Sequence, residues 1–223
     1  MFFNLIKILY KFMNMKLLFF LTTMSYKDFL KKKDIIADIY NVHGSKNVEH
    51  VIPKNIKQHP YGSYCKDLHF VYNSNKELNN WRSNFTFGKI NNTNNIELFN
   101  KNPEIQKDKN NNVFLPPPCS RGIIARTCAY FIYKYPFYKR YFEKIINPET
   151  LVEWNYLYPV TIDEYHRNVM VSMENEQGDR NPFVDNEYSV YEFIKENYNV
   201  SIAKYLNKTT KYSILEKLSL YWE

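Results

Sequence analysis

The sequence predicts a mixed α+β fold in one domain. Two short strand patterns, at residues 48–52 and 68–72, lead into a turn and helix start at 77–84, and helical patterns dominate from residue 121 onward. Strands gathered early and helices gathered late is the α+β arrangement, not the regular alternation of a parallel sheet. At 223 residues the chain can bury one substantial core. No internal repeat is visible.

Residues 1–24 differ from all that follow. Asn4, Lys7, Lys11 and Asn14 recur at helical spacing and would form one narrow polar stripe on an otherwise apolar helix. Lys16 then interrupts the pattern, and the apolar runs are shorter than the roughly 20 residues that span a bilayer. Three readings stay open: a signal peptide with Met13 or Met15 as an alternative start, a helix lying in a membrane interface, or a terminal helix packed on the domain. Export or membrane association is the expectation, and with it a secreted or extracytoplasmic location.

Residues 26–40 place Phe29, Ile35, Ile36 and Ile39 near helical spacing around Lys31-Lys32-Lys33, which reads as a solvated face. The stretch 88–113 is rich in Asn and Lys with few apolar residues, and is expected to be a flexible surface insertion. Pro116-Pro117-Pro118 closes it as a stiff spacer. A helix over 121–135 follows, lined on one side by Ile124, Cys128, Phe131 and Ile132 and stopped by Pro136. Further helices are expected at 148–158 and 163–175. The domain is expected to span 25–185, with 186–223 a helical extension carrying helices at 190–198 and 212–220.

The formal charge of +7 favours a polyanionic partner, either nucleic acid or an acidic membrane surface. Three cysteines allow at most one disulfide, which excludes a disulfide framework. No Cys-x-x-Cys or His-x-x-x-His spacing marks a zinc site. The abundance of Tyr, Phe, Asn, Lys and Ile is consistent with an AT-rich genome.

The densest chemistry begins at Glu49-His50. It sets a hard anionic ligand beside a base that is largely neutral near pH 7. The pair must act together, yet neighbours on a regular strand face opposite ways, so the strand should twist, bulge or end there. Pro53 fits an early stop. Later segments extend the pattern: Asp67-Leu68-His69, the run 77–85 (Glu-Leu-Asn-Asn-Trp-Arg-Ser-Asn-Phe), Arg121-Gly122-Ile123-Ile124-Ala125-Arg126, and 177–183 (Gln-Gly-Asp-Arg-Asn-Pro-Phe).

Through these collinear blocks, and through Trp154, Pro159-Val160-Thr161, Glu164 and Arg167-Asn168, the chain resembles the endonuclease I family over about residues 49–185. These are bacterial periplasmic and extracellular nucleases of the ββα-metal (His-Me finger) type. The resemblance implies a ββα-metal core surrounded by helices. It also implies a metal-dependent, largely sequence-nonspecific endonuclease that cuts DNA, with RNA a second substrate, and leaves 5′-phosphate ends. His50 then matches the general base, and Glu49 with Asn84 the ligands of Mg²⁺, Mn²⁺ or Ca²⁺ being alternatives. One carboxylate and one amide suit a cation that keeps waters and takes up substrate oxygen.

Under the same resemblance, Arg126 and Arg167 would bind phosphates as part of the catalytic set, with internal ion pairs to Glu164 or Asp163 the competing reading. Lys54, Lys57 and Arg82 would contact the nucleic-acid backbone. His69 would orient the second strand. Glu77 and Asn79 would steady the Asn84 turn, and Gln177, Asn181 and Pro182 would brace the core below. His43, His59 and His166 read as surface or structural.

Two departures stand out. Phe70 replaces the Asn usual after Asp-x-His, and residues 51–66 hold Lys54, Lys57 and Lys66 but no arginine to steady the leaving phosphate. A nucleic-acid-binding protein that keeps the fold without catalysis is therefore the alternative. Asn84-Phe85-Thr86 is also a glycosylation sequon, and a glycan there would destroy the amide ligand.

Overall fold

The computed structural model describes residues 26–32, 38–56, 63–91, 95–173 and 176–201. The expectations for residues 1–24, for Ile35 and Ile36, and for a helix at 212–220 lie outside them. No helix among the described residues is long and apolar enough to cross a membrane.

Helix α1 (Tyr26–Lys32) buries Phe29 and Leu30 against Leu68, Val71 and Val171. Strand β1 (Lys46–His50) pairs antiparallel with β2 (Val71–Asn75), Glu49 opposite Tyr72 and His50 opposite Val71. The second strand starts later than its pattern suggests. Asp67 caps a short 3-10 turn, Leu68–Phe70, by accepting the His69 N–H at 3.0 Å, and this local bond takes those residues out of the ladder. Helix α2 (Lys76–Arg82) follows β2 directly, its first turn capped by Asn75, which accepts the Leu78 N–H at 3.0 Å. The turn lies after this helix rather than before it.

The described part of 88–113 forms strands and turns where a long loop was expected. Strands β3 (Thr86–Phe87), β4 (Ile96–Phe99), β5 (Asn102–Asp108) and β6 (Val113–Leu115) form a four-stranded sheet ordered β3-β6-β5-β4. β3 and β6 are parallel, and the other pairs are antiparallel. A sheet with one buried face needs few apolar residues, and here Phe87, Phe99, Ile105 and Phe114 supply them. The asparagines are turn chemistry: Asp108 accepts the Asn110 and Asn111 N–H groups, and Asn112 takes a φ of +53°.

Helix α3 (Pro118–Lys134) is the centre of the core, buried on most sides from Ser120 to Ile132. It starts with Pro118 in its first turn, where no backbone N–H is needed. A 3-10 helix (Pro136–Lys144) succeeds it, then α4 (Pro148–Leu157), α5 (Ile162–Val171), the short α6 (Pro182–Asp185) and α7 (Ser189–Tyr198). α3 and the chain leaving α4 approach so closely that a Cβ on Gly122 would lie 2.1 Å from the Tyr158 carbonyl oxygen. Only glycine fits there.

Arg126 and Arg167 are interior clamps, which corrects their expected contact with substrate phosphate. Arg126 is 1% exposed and holds Glu164 through one guanidinium edge, Nε at 2.8 Å and Nη2 at 2.6 Å. It also donates to Asn155 and to the Tyr158 carbonyl. Arg167 donates to the Leu68 and Val71 carbonyls at 2.5 and 2.6 Å and lies 4.1 Å over the Tyr72 ring. Each arginine is consumed by groups that would otherwise be buried without partners.

A second buried network joins the 67–70 turn to the 177–181 segment. Gln177 accepts the Leu68 N–H and donates to Asp67 and Asp179, while His69 Nε2 meets the Asp179 carbonyl at 3.1 Å. Lys134 bridges Asp67 and Asp179. Asn181 caps α6, exchanges bonds with Asn168 and donates to the Arg126 carbonyl.

Two stability predictions follow from these networks. Glu164→Gln leaves Arg126 charged in the interior and should lower the unfolding free energy by about 3–5 kcal/mol, read by urea titration at neutral pH. Burial pushes the Asp179 carboxyl up, but bonds from His69, Lys134 and Gln177 outweigh it and hold the group well below its ordinary range. A depressed carboxylate contributes stability above its unfolded pKa and loses it as the pH falls toward the folded value. Asp179→Asn should therefore flatten the acid limb of the stability profile below about pH 4, measured as urea midpoints across pH.

Candidate functional site

Strand β1 ends at His50, where the chain bends toward Pro53. Ending the strand resolves the geometric conflict between adjacent side chains, because both Glu49 and His50 reach one cleft of about 360 Å³. Lys54, Asn79, Arg82 and Asn84 share its walls. Arg126, Arg167, His69, Glu77, Gln177 and Asn181 do not border it. Lys57 and His59 lie outside the described residues.

Glu49 is 1% exposed, and its Oε1 accepts two bonds, from Arg82 Nη1 at 2.7 Å and from the Tyr40 hydroxyl at 2.9 Å. Oε2 makes no hydrogen bond among the described residues, yet it is not one of their fully enclosed orphan oxygens. The second oxygen is thus the one turned to the cleft. Burial raises the Glu49 carboxyl above its ordinary value, against the lowering pull of Arg82 and Tyr40.

Arg82 is a clamp rather than a contact for the nucleic-acid backbone. At 2% exposure it also donates to the His50 carbonyl at 3.1 Å and to the Val51 carbonyl at 3.1 Å, and it stacks 4.2 Å over Phe87. Its bonds lock the end of α2 to the end of β1. Burial excludes it from any phosphate outside the cleft wall.

His50 Nε2 lies 3.2 Å from the Cys65 carbonyl oxygen. A carbonyl can only accept, so Nε2 carries the proton and the neutral ring has its lone pair on Nδ1. Burial, and then the Lys54 charge, push the imidazole down from 6.5 to about 4, so the ring is neutral at physiological pH. Phe70 does not face this histidine as a missing brace. Its ring packs among Tyr130, Phe131 and Tyr135, and the Cys65 carbonyl holds the imidazole instead.

Asn84 is exposed at the cleft edge, presented by a tight turn in which the Phe85 N–H reaches the Arg82 carbonyl at 3.3 Å. Ser83 makes that turn with φ 57° and ψ −129°, a conformation suited to glycine. Asn79 donates to the Val48 carbonyl at 2.9 Å, tying α2 to β1. Glu77 points away from the turn, to Lys101 on the β4–β5 hairpin. Lys107 of β5 donates to the Trp81 carbonyl at 2.8 Å and sits 4.2 Å over the Phe85 ring, supporting the Asn84 turn from the second sheet.

Sequence reading missed Tyr40, Cys65, Ser83 and Lys107. Tyr40 and Lys107 carry no local signal, since their partners are distant in the chain. Ser83 sits inside the Arg-Ser-Asn-Phe string and could have been found as a turn residue.

The fold and cleft define an α+β protein in which an acid, a neutral imidazole and an amide converge on a strand–strand–helix frame. The family model for Endonuclease I matches residues 16–188, and the chain belongs to the endonuclease I family. Endonuclease-1 of Buchnera aphidicola subsp. Acyrthosiphon pisum (strain APS) is 30% identical over 131 residues, covering 59% of this chain and 49% of that protein. The chain thus spans about half the length of the curated relative it matches. Among the described residues no group of three or more His, Cys, Asp and Glu could hold a metal. A donor set of one carboxylate and one amide falls below that criterion.

Ser83→Gly should remove backbone strain and raise stability by about 1 kcal/mol, whereas Ser83→Val should lower it by about 1–3 kcal/mol. Thermal midpoints of the two variants check this, with midpoints moving in the same direction counting against the strained turn.

Proposed function

We propose that the chain is a metal-dependent endonuclease that hydrolyses nucleic-acid phosphodiester bonds, DNA foremost and RNA as a second substrate, without reading base sequence and leaving 5′-phosphate ends. It would do so on the ββα-metal frame of β1, β2 and α2. The observation that carries this reading is that Glu49, His50 and Asn84 line one cleft, with His50 Nε2 held 3.2 Å from the Cys65 carbonyl.

His50 would take the proton of an attacking water as general base, with its ring held by the Cys65 carbonyl. The donor set fits a hard cation: Glu49 Oε2 has no hydrogen bond among the described residues, and Asn84 borders the same cleft. Mg²⁺ held there by Glu49 and Asn84 would supply positive charge opposite a phosphate oxygen; Mn²⁺ or Ca²⁺ would suit the same oxygens. Lys54 borders the cleft and would add charge against the phosphate where the family places an arginine. Arg82 orients Glu49 and pulls its carboxyl back down against the raising effect of burial.

One observation favours a second reading, a nucleic-acid binder without catalysis: Oε1 of Glu49 is already committed to Arg82 and Tyr40. Plasmid nicking separates the two. The nuclease should convert supercoiled plasmid to nicked forms in Mg²⁺, stop in EDTA, and lose about 10²–10⁴-fold in rate in His50→Ala while DNA binding persists. Unchanged nicking by His50→Ala would falsify the mechanism; binding with no nicking in any divalent cation would establish the second reading.

A further inference from the structure

The 3-10 helix Pro136–Lys144 leaves most of its side chains at the surface. Of its residues only Phe142 is buried, stacked 4.8 Å from Tyr198. The outer side presents Phe137, 65% exposed, beside Lys139, Arg140 and Lys144. Rings and cations alternate along it. The Arg140 guanidinium lies 5.5 Å from the Phe137 ring and 4.9 Å from Tyr141, and Lys144 lies 5.7 Å from Tyr141. Lys139 lies 5.3 Å over Tyr198, across a groove of about 640 Å³ that Phe137, Arg140 and Glu143 also border. Two cations, Lys139 and Arg140, face one acid, Glu143, there.

This element is fastened to the cleft at both ends. Near its start Tyr138 packs 5.1 Å edge-on against Tyr64, whose hydroxyl donates to the Pro53 and Lys54 carbonyls at 3.1 and 3.0 Å. Pro53 and Lys54 are cleft wall. At its end the Lys144 carbonyl accepts the Thr86 hydroxyl at 3.0 Å, and the Ile145 carbonyl accepts the Phe87 N–H at 2.8 Å. Thr86 is two residues beyond Asn84. The helix therefore runs along the flank of the cleft from the Lys54 wall to the Asn84 wall.

We propose that this flank is a binding subsite for single-stranded nucleic acid continuing from the phosphate in the cleft, an inference that rests on the nuclease reading above. Lys139, Arg140 and Lys144 meet backbone phosphates, and Phe137 offers a stacking platform to an unpaired base at the groove. A purely apolar face would suit a protein or lipid partner. Cations beside an exposed ring are what a single strand needs, since every unpaired base has a stacking face and every linkage a charge. A duplex hides its base faces, so it gains from the cations but not from Phe137.

The test is fluorescence anisotropy with a labelled single-stranded DNA oligonucleotide and its duplex, in EDTA so that the probe stays intact. Phe137→Ala should weaken single-strand binding roughly tenfold while leaving duplex binding nearly unchanged. Arg140→Ala should lower the slope of log affinity against log salt by about 0.7 for the single strand. Lys76→Ala, an equal charge loss at the start of α2, should do neither. Both flank variants binding as tightly as the unaltered protein would overturn the proposal. So would an effect of Phe137→Ala confined to phosphatidylserine vesicles, or confined to the solution mass, which would make the flank a membrane or self-association surface. The nuclease reading stands or falls separately on His50-dependent nicking, because binding in EDTA involves no cleavage.

Discussion

The buried pair of Glu49 and Arg82 is the interaction on which the cleft depends. Two charges at 1% and 2% exposure have lost nearly all their water, a penalty that attraction alone does not reliably offset. Here the Tyr40 hydroxyl and the His50 and Val51 carbonyls supply further bonds, while Arg82 Nε stays buried without a partner among the described residues. The same guanidinium therefore satisfies the end of β1, fixes which carboxylate oxygen turns outward, and sets where α2 stops. Ser83 and Asn84 follow directly from that stop. Moving Arg82 would move every group of the cleft at once.

The remaining buried charges act as fasteners between segments far apart in sequence. Arg126 joins α3 to α5 through Glu164, and Arg167 joins α5 to the turn before β2. Gln177, Asp179 and His69 close the same turn onto the segment before α6. These bonds contribute little net free energy as single contacts, but leaving any one of them unmade inside the core is expensive. Such a scaffold fixes how these segments sit against one another.

The helices were largely legible because their signals are local: Pro at the first turn, Pro or a polar cap at the ends, and apolar spacing along 121–135. The strand–strand–helix order was legible too, with shifted boundaries, since Asp67 and Asn75 cap turns that a strand pattern does not reveal. The second sheet was not legible. Its strands are narrow and polar on one side, and only packing of Ile105, Phe99 and Phe114 onto the core distinguishes them from a solvated Asn-Lys loop. Glu49 and His50 could be singled out by residue type and Asn84 through the family resemblance, and all three border one cleft. Arg82, Arg126 and Arg167 could not be sorted into surface or interior, because an arginine that meets a phosphate and one that meets a carboxylate look alike in a sequence.

By itself the sequence determined the α+β class, the residue types gathered at the cleft and the basic character of the chain, since composition, spacing and caps act over a few residues. Only the tertiary structure decided that Glu49 is held by Arg82, that His50 leans on the Cys65 carbonyl, and that an aromatic and basic 3-10 helix flanks the cleft. Those outcomes turn on burial and on which distant groups satisfy one another. Both are settled only when the whole core closes.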